Sequence, residues 1–185
     1  MRSAEQVLAH AQSRSPTLGA GRLLSIDGPA GSGKTTLAAE VAELAAGARV
    51  VHMDDLYDGW TGLPRLADQL DAILLPLARG LAGSYRRYDW HATRFAETVP
   101  VEPVELLILE GVGSGSLRHA SLVTTLAWVS APASLRVRRG IERDGAAVEP
   151  LWRQWMLDEA EHFDRERTRE RADIMVDGTG TIQPE

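Results

Sequence analysis

Gly28-Pro29-Ala30-Gly31-Ser32-Gly33-Lys34-Thr35-Thr36 fits the pattern G-x-x-x-x-G-K-[ST] without a gap. Each residue type in it has a physical reason. The glycines let the backbone turn its N–H groups inward around an anion, and the helix that follows adds its positive end. Lys34 is the one lysine among 20 basic residues. A compact ammonium acts as a point charge inside a tight loop, where the planar fork of arginine would be crowded. Thr35 supplies a hydroxyl suited to Mg²⁺. The flanks agree with this reading. Arg22-Leu23-Leu24-Ser25-Ile26-Asp27 reads as a short buried strand, and Leu37-Ala38-Ala39-Glu40-Val41-Ala42-Glu43-Leu44 as a helix. The expected nucleotide-binding residues are Gly28, Ala30, Gly31, Ser32, Gly33, Lys34, Thr35 and Thr36.

Outward from that loop, strand and helix patterns alternate. Residues 3–13 suit a short helix ended by Ser15-Pro16 and Gly19. Ala48 to Met53 suits a second strand ending at Asp54-Asp55. Apolar positions at Leu63, Leu66, Leu70, Ile73, Leu74 and Leu77 have helical spacing over 63–79. Val104 to Leu109 is an apolar strand ending at Glu110-Gly111, and Leu122 to Val129 is another. Ser134 to Arg143 reads as a basic helix. Pro150 then opens a long helix with Trp152, Trp155, Met156, Ala160 and Phe163 on one face. Ala172 to Val176 is a last short strand. Such alternation implies a parallel sheet covered on both faces, with ligands at the carboxyl ends of the strands.

Composition bounds the partners. The chain has 185 residues, 44% hydrophobic and 25% charged, which suits one domain with an ample core. A net charge of −6 argues against a broad nucleic-acid or anionic-membrane surface. There is no cysteine, which excludes disulfides and thiolate metal sites. Met1 to Ser15 lacks the apolar core of a signal peptide, and no apolar run approaches a membrane span. The expectation is a cytoplasmic monomer or homodimer that binds a small-molecule acceptor, with no nucleic-acid or membrane partner.

Several residues carry candidate chemistry. Asp54 and Asp55 follow the second strand directly. A carboxylate there suits a base that takes a proton from an attacking hydroxyl, or a holder of Mg²⁺ through water; a pair of turn aspartates is the plainer alternative. Glu110, at the end of an apolar strand, suits a carboxylate that orients Mg²⁺-bound water. The stretch Gly111 to Ser116 after it is a weak nucleotide motif by itself. Arg136, Arg138, Arg139 and Arg143 lie on one short helix, where closing arginines stabilise the charge of phosphoryl transfer; a solvated helix face is the alternative. The mixed run Arg165 to Arg171 reads as a solvated helix. Tyr88, Trp90 and Asp89 suit stacking on a ring and accepting from its hydroxyls, or else anchoring a small hairpin. His52 and His91 have no partners at metal-ligand spacing.

Together these motifs resemble the uridine kinase-like group of P-loop kinases, over roughly residues 22–178. Met53-Asp54-Asp55-Leu56-Tyr57 resembles that family's D-x-F-Y segment, which implies Asp54 as catalytic base, with Leu56 in place of the aromatic. Tyr88 to Arg94 resembles a substrate segment Y-D-[FY]-x-x-x-R. Leu107 to Gly111 resembles its strand ending in Glu-Gly, Arg138 to Asp144 its lid pattern R-R-x-x-R-D, and Ala172-Asp173-Ile174 its closing strand. The chain is shorter than a uridine kinase, and nothing between Trp60 and Tyr85 matches a base-reading His and Tyr pair.

The resemblance implies an α/β P-loop NTPase fold, three-layer α/β/α with a parallel sheet and a short helical lid. The domain expectation is a single kinase domain over 1–185, with an N-terminal helical extension to about residue 20 and a lid at about 132–150. The expected activity moves the γ-phosphate of ATP, with Mg²⁺, to a hydroxyl of a small metabolite, nucleoside-like by preference. Lys34, Asp54, Arg139 and Arg143 are the expected catalytic residues. Thr35 and Glu110 are expected at the metal, and Asp54, Tyr57, Tyr88, Asp89, Trp90 and Arg94 at the acceptor. Two other readings stay open. One is a kinase for a nucleoside monophosphate, sugar acid or vitamin precursor, which would use Arg65, Arg86, Arg87 or Arg94. The other is a nucleotide-binding regulator with slow hydrolysis.

Overall fold

A computed structural model describes residues 3–178. In chain order its main elements are α1 (Ser3–Ser13), β1 (Arg22–Asp27), α2 (Lys34–Leu44), β2 (Arg49–His52), α3 (Leu66–Leu77), β3 (Gly83–Asp89) and β4 (Arg94–Val101). Then follow β5 (Leu106–Glu110), β6 (Thr125–Ser130), α4 (Ala133–Asp144), α5 (Glu149–Glu166) and β7 (Ile174–Asp177). Five strands form a parallel sheet in the order β2-β5-β1-β6-β7. The chain therefore leaves β1 for one side of the sheet and later crosses to the other. That reversal opens a crevice at the carboxyl ends of β1 and its neighbours.

Alternation along the strands feeds two cores. Leu24, Ile26, Ile108, Ala127 and Val129 pack with α1 and α2 through Ala4, Val7, Ala11, Leu37, Ala38 and Val41. On the opposite face Leu23, Val51, Leu107 and Leu109 pack with α3 and α5 through Leu66, Leu70, Ile73, Leu74, Leu77 and Trp155. Burial on both faces is why these strands are continuously apolar. Helix α1 lies within this core.

The boundaries differ from the sequence reading in a few places. Leu117–Leu122 forms a 3₁₀ turn, so the strand expected from Leu122 begins at Thr125. A 3₁₀ turn at Leu63–Arg65, carrying Pro64, precedes α3. Residues 83–101 form an antiparallel hairpin, with Gln69 of α3 bonded to both backbone groups of Arg86. The charge run is not a solvated helix throughout. Helix α5 stops at Glu166, Arg167 takes a left-handed cap, Thr168 is fully buried, and Arg171 donates to the Gly115 carbonyl. The buried face of α5 is Trp152, Trp155, Glu159 and His162, with Ala160 exposed. No helix among the described residues is long and apolar enough to cross a membrane.

Candidate active site

A cleft of about 1090 Å³ opens where β1, β2 and β5 end. The glycine-rich loop forms its floor, joining β1 to α2. Gly28 has a φ of +135, and a Cβ there would run into the Val129 carbonyl on β6, so no other residue fits. Helix α2 opens behind Gly33 with no side-chain cap, which leaves its first N–H groups for a ligand. Ser32 is fully buried with an unpaired hydroxyl. Lys34 is buried, and its Nζ donates to the carbonyls of Gly28 at 2.8 Å and Pro29 at 3.0 Å. A buried ammonium, a buried orphan hydroxyl and an uncapped helix start are the donor set that a polyphosphate needs.

Parallel pairing sets Ile26 and His52 beside Glu110, so three strand ends meet. The Thr35 hydroxyl donates to both Glu110 oxygens, at 3.2 and 3.3 Å. His52 Nδ1 lies 2.5 Å from Glu110, and that bond raises the His52 pKa. Hydroxyl and carboxylate together fit a hard divalent cation such as Mg²⁺.

Asp54 and Asp55 sit in the 3₁₀ turn after β2 and face different neighbours. Asp54 is open to the cleft, yet protein crowds its carboxyl. Desolvation, with the charge of Glu110, raises its pKa, while Lys34 and Arg143 pull it down. Asp55 is also raised by burial, but its partners are His52, Arg87 and Tyr85 toward the hairpin. Asp54 is thus the carboxylate directed at the phosphate side.

The arginines of α4 separate into distinct roles. Arg136 donates to the Ala30 carbonyl at 3.2 Å and pairs with buried Glu159 at 2.8 Å; Glu159 in turn accepts the Ala30 N–H at 2.8 Å. Arg139 donates to the Gly31 and Gly178 carbonyls, at 3.1 and 3.5 Å. Arg143 pairs with Asp144 and stands over the Trp152 ring, 5.8 Å from its centroid. Arg138 is exposed. Among the described residues, the lysines and arginines lining the cleft are Lys34, Arg139 and Arg143. All three have partners on the protein.

The wall beyond Asp54 is aromatic. Tyr57 is buried, meets Trp155 edge-on at 5.0 Å, and donates to the Val112 carbonyl at 2.6 Å. Trp60 meets Trp90, Trp152 and Trp155 with centroids 5.7, 6.4 and 6.2 Å apart. Trp90 donates its Nε1 to the Asp54 carbonyl at 2.9 Å, which ties the hairpin tip to that residue. Trp60, Trp152 and Trp155 were not read from the sequence as cleft residues. Their signal in the sequence is a tryptophan three residues after Tyr57 and two more on one face of α5.

Not every expected acceptor residue reaches the cleft. Asp89 Oδ1 accepts the N–H groups of His91 and Ala92 at 2.9 Å, so its carboxylate closes the hairpin turn. Arg94 is exposed on β4, and Tyr88 is buried behind Trp90 and Phe95. None of these three lines the cleft, whereas Tyr57, Trp90 and His91 do. Arg65 pairs with Asp58, Arg87 with Glu97, and Arg86 stacks on Phe95. The sequence reading also passed over Asp27 and Glu159, both buried carboxylates bonded to loop N–H groups.

No family model matches the chain, and no curated protein matches it by sequence. Solved structures match it in shape. A possible uridine kinase from Bacillus stearothermophilus has a TM-score of 0.64 at 20% identity, over 94% of this chain and 97% of that one. A candidate fructose transport system kinase from a Silicibacter species has a TM-score of 0.65 at 18% identity, over 95% and 98%. The likeness is one of fold: this chain has the α/β fold of those P-loop kinases.

Proposed function

We propose that the protein transfers the γ-phosphate of ATP to a hydroxyl of a small, uncharged, nucleoside-like metabolite. The observation that carries this is the place of Asp54. Its carboxylate shares one cleft with Lys34 on the phosphate side and with Tyr57, Trp60 and Trp90 on the other. A slow hydrolase needs no aromatic wall beyond its base.

The residues divide the work by chemistry. Backbone N–H groups of Gly31 to Thr36 and the Lys34 ammonium would hold the phosphates, once the ammonium leaves the loop carbonyls it now bonds. Thr35 and Glu110 would hold Mg²⁺, which supplies charge neutralisation at the transferred group. Asp54 would accept the proton of the attacking hydroxyl. Its raised pKa makes it a better proton acceptor than an ordinary carboxylate. Arg139 and Arg143 would face the γ-phosphate from α4.

An uncharged acceptor is favoured because, among the described residues, the arginines lining the cleft are Arg139 and Arg143, the two given to the γ-phosphate. Arg65, Arg86 and Arg87 are committed outside the cleft, and Arg143 has Asp144. The wall of Trp60, Trp90, Trp152 and Trp155 suits a flat ring. Labelled ATP with Mg²⁺ against matched neutral and phosphorylated metabolites tests the reading. Transfer to a neutral alcohol, lost in Asp54→Asn, is expected. Hydrolysis without transfer to any neutral panel member would overturn it.

A further inference from the structure

Asp27 ends β1 directly before the glycine-rich loop, and no step above uses it. Its side chain is fully buried. Three backbone N–H groups point at it: Gly28 at 2.7 Å and Gly113 at 3.0 Å to Oδ1, and Gly115 at 2.8 Å to Oδ2. Gly28 is the first residue of the phosphate loop. Gly113 and Gly115 belong to the loop that follows Glu110. Ser25 adds a parallel tie, its hydroxyl donating to the Ser114 carbonyl at 2.9 Å. From that same loop the Val112 carbonyl accepts the Tyr57 hydroxyl of the aromatic wall.

We infer that Asp27 is a positioning residue, which clamps the loop after Glu110 to the start of the phosphate loop and so sets phosphate site and acceptor wall at a fixed distance. This rests on the phosphate-loop reading given above.

Burial raises the Asp27 pKa to about 6, against the opposing pull of the three N–H groups and of Lys34. At pH 7.5 the group is ionised inside the fold, with no cation bonded to it. Burying that charge costs free energy, which the three N–H groups offset in part. The geometry accounts for its retention. Two oxygens that only accept can satisfy three converging donors, whereas the amide of asparagine would set an N–H against the N–H of Gly115.

Nucleotide binding by folded variants gives the test. Wild type, Asp27→Asn and Gly115→Ala are compared at pH 7.5 by urea unfolding and by titration with a fluorescent ATP analogue plus Mg²⁺. For Asp27→Asn the expected result is nucleotide affinity at least tenfold weaker in a protein that remains folded at pH 7.5. Gly115→Ala keeps the charge but puts a Cβ 3.2 Å from Asp27 Oδ2 and 2.7 Å from a Leu126 methyl. It is expected to weaken nucleotide binding at least threefold, and it carries the test if Asp27→Asn does not fold. Unchanged affinity in either folded variant overturns the clamp. An affinity loss in Asp27→Asn no larger than that in Ile73→Ala, a buried core variant away from the cleft, would make Asp27 structural only and would also overturn it. Failure of the phosphate-loop reading looks different: wild type itself would not bind the analogue, or Lys34→Ala would bind it equally well.

Discussion

Glu159 of α5 accepts the Ala30 N–H at 2.8 Å while pairing with Arg136 of α4, so one carboxylate joins the last long helix to the phosphate loop. Both side chains are largely buried, Glu159 at 2% and Arg136 at 12% exposure. Desolvation raises the Glu159 pKa, and the Ala30 N–H, Lys34 and Arg136 oppose it. Removing one partner of a buried pair strands the other, at a typical cost of about 3–5 kcal/mol. Glu159→Leu should therefore lower the stability measured by urea unfolding by an amount of that order. Arg136→Met with Glu159→Leu should recover part of the loss. A loss below about 1 kcal/mol in the single variant would show the pair to be solvated, in the manner of surface pairs.

Lys34 now bonds the loop's own carbonyls, so replacing it removes few contacts that hold the fold. Lys34→Ala should keep the wild-type circular dichroism spectrum and lose at least about tenfold in kcat/KM for ATP, which is 1.4 kcal/mol of stabilisation. Lys34→Arg should fare no better, because the guanidinium is too broad for the buried site. Wild-type kinetics in a folded Lys34→Ala protein would remove the lysine from the phosphate cradle.

Asp54 and Asp55 differ in what surrounds them, and the difference fixes the order of their effects. Asp54 feels Glu110, Lys34 and Arg143, Asp55 feels Arg87 and Tyr85, and both feel His52. Asp54→Asn should lower kcat roughly 10²-fold or more, the usual value of a general base. Asp55→Asn should act mainly through the hairpin, with a smaller loss in kcat. The reverse order, read from steady-state kinetics with any accepted substrate, would move the base by one residue.

Much of this site was legible because its parts are local. The strand before Gly28, the glycine spacing and the carboxylates that follow β2 and end β5 can each be read from a few neighbouring residues. Parallel pairing then brings them together without further information. What escaped depends on distant partners. Glu159 meets Ala30 across 129 positions, and it was hidden because only apolar residues were used to place the buried face of α5. The spacing of Trp152, Trp155, Glu159 and His162 carries the correct helical face. Asp89 escaped in the opposite direction. Its motif points to substrate, whereas in the structure its carboxylate accepts the His91 and Ala92 N–H groups of the turn. The hairpin was legible only as the alternative for Tyr88 to Trp90, because β4 is mostly exposed and lacks clean alternation.

His162 provides a readout of pH. The ring is 7% exposed, and burial pushes its pKa from 6.5 down to about 4, aided by Arg165 and opposed by Glu166. Its Nδ1 lies 3.2 Å from Arg165 Nη2, a donor, which places the ring proton on Nε2. Between pH 4 and 6.5 the unfolded chain binds this proton and the folded chain does not. Stability therefore rises with pH across that window, and is lost as pH falls through it, by about 3 kcal/mol in full. Asp27 acts with the opposite sign, since its raised pKa makes stability fall as pH rises toward about 6. Comparing wild type with His162→Leu cancels that term, because Asp27 is common to both. Between pH 7 and pH 4.5, wild type should lose about 2 kcal/mol more than His162→Leu in urea unfolding. Parallel losses in the two proteins would mean that the histidine protonates within the fold at its ordinary value, with solvent reaching the ring.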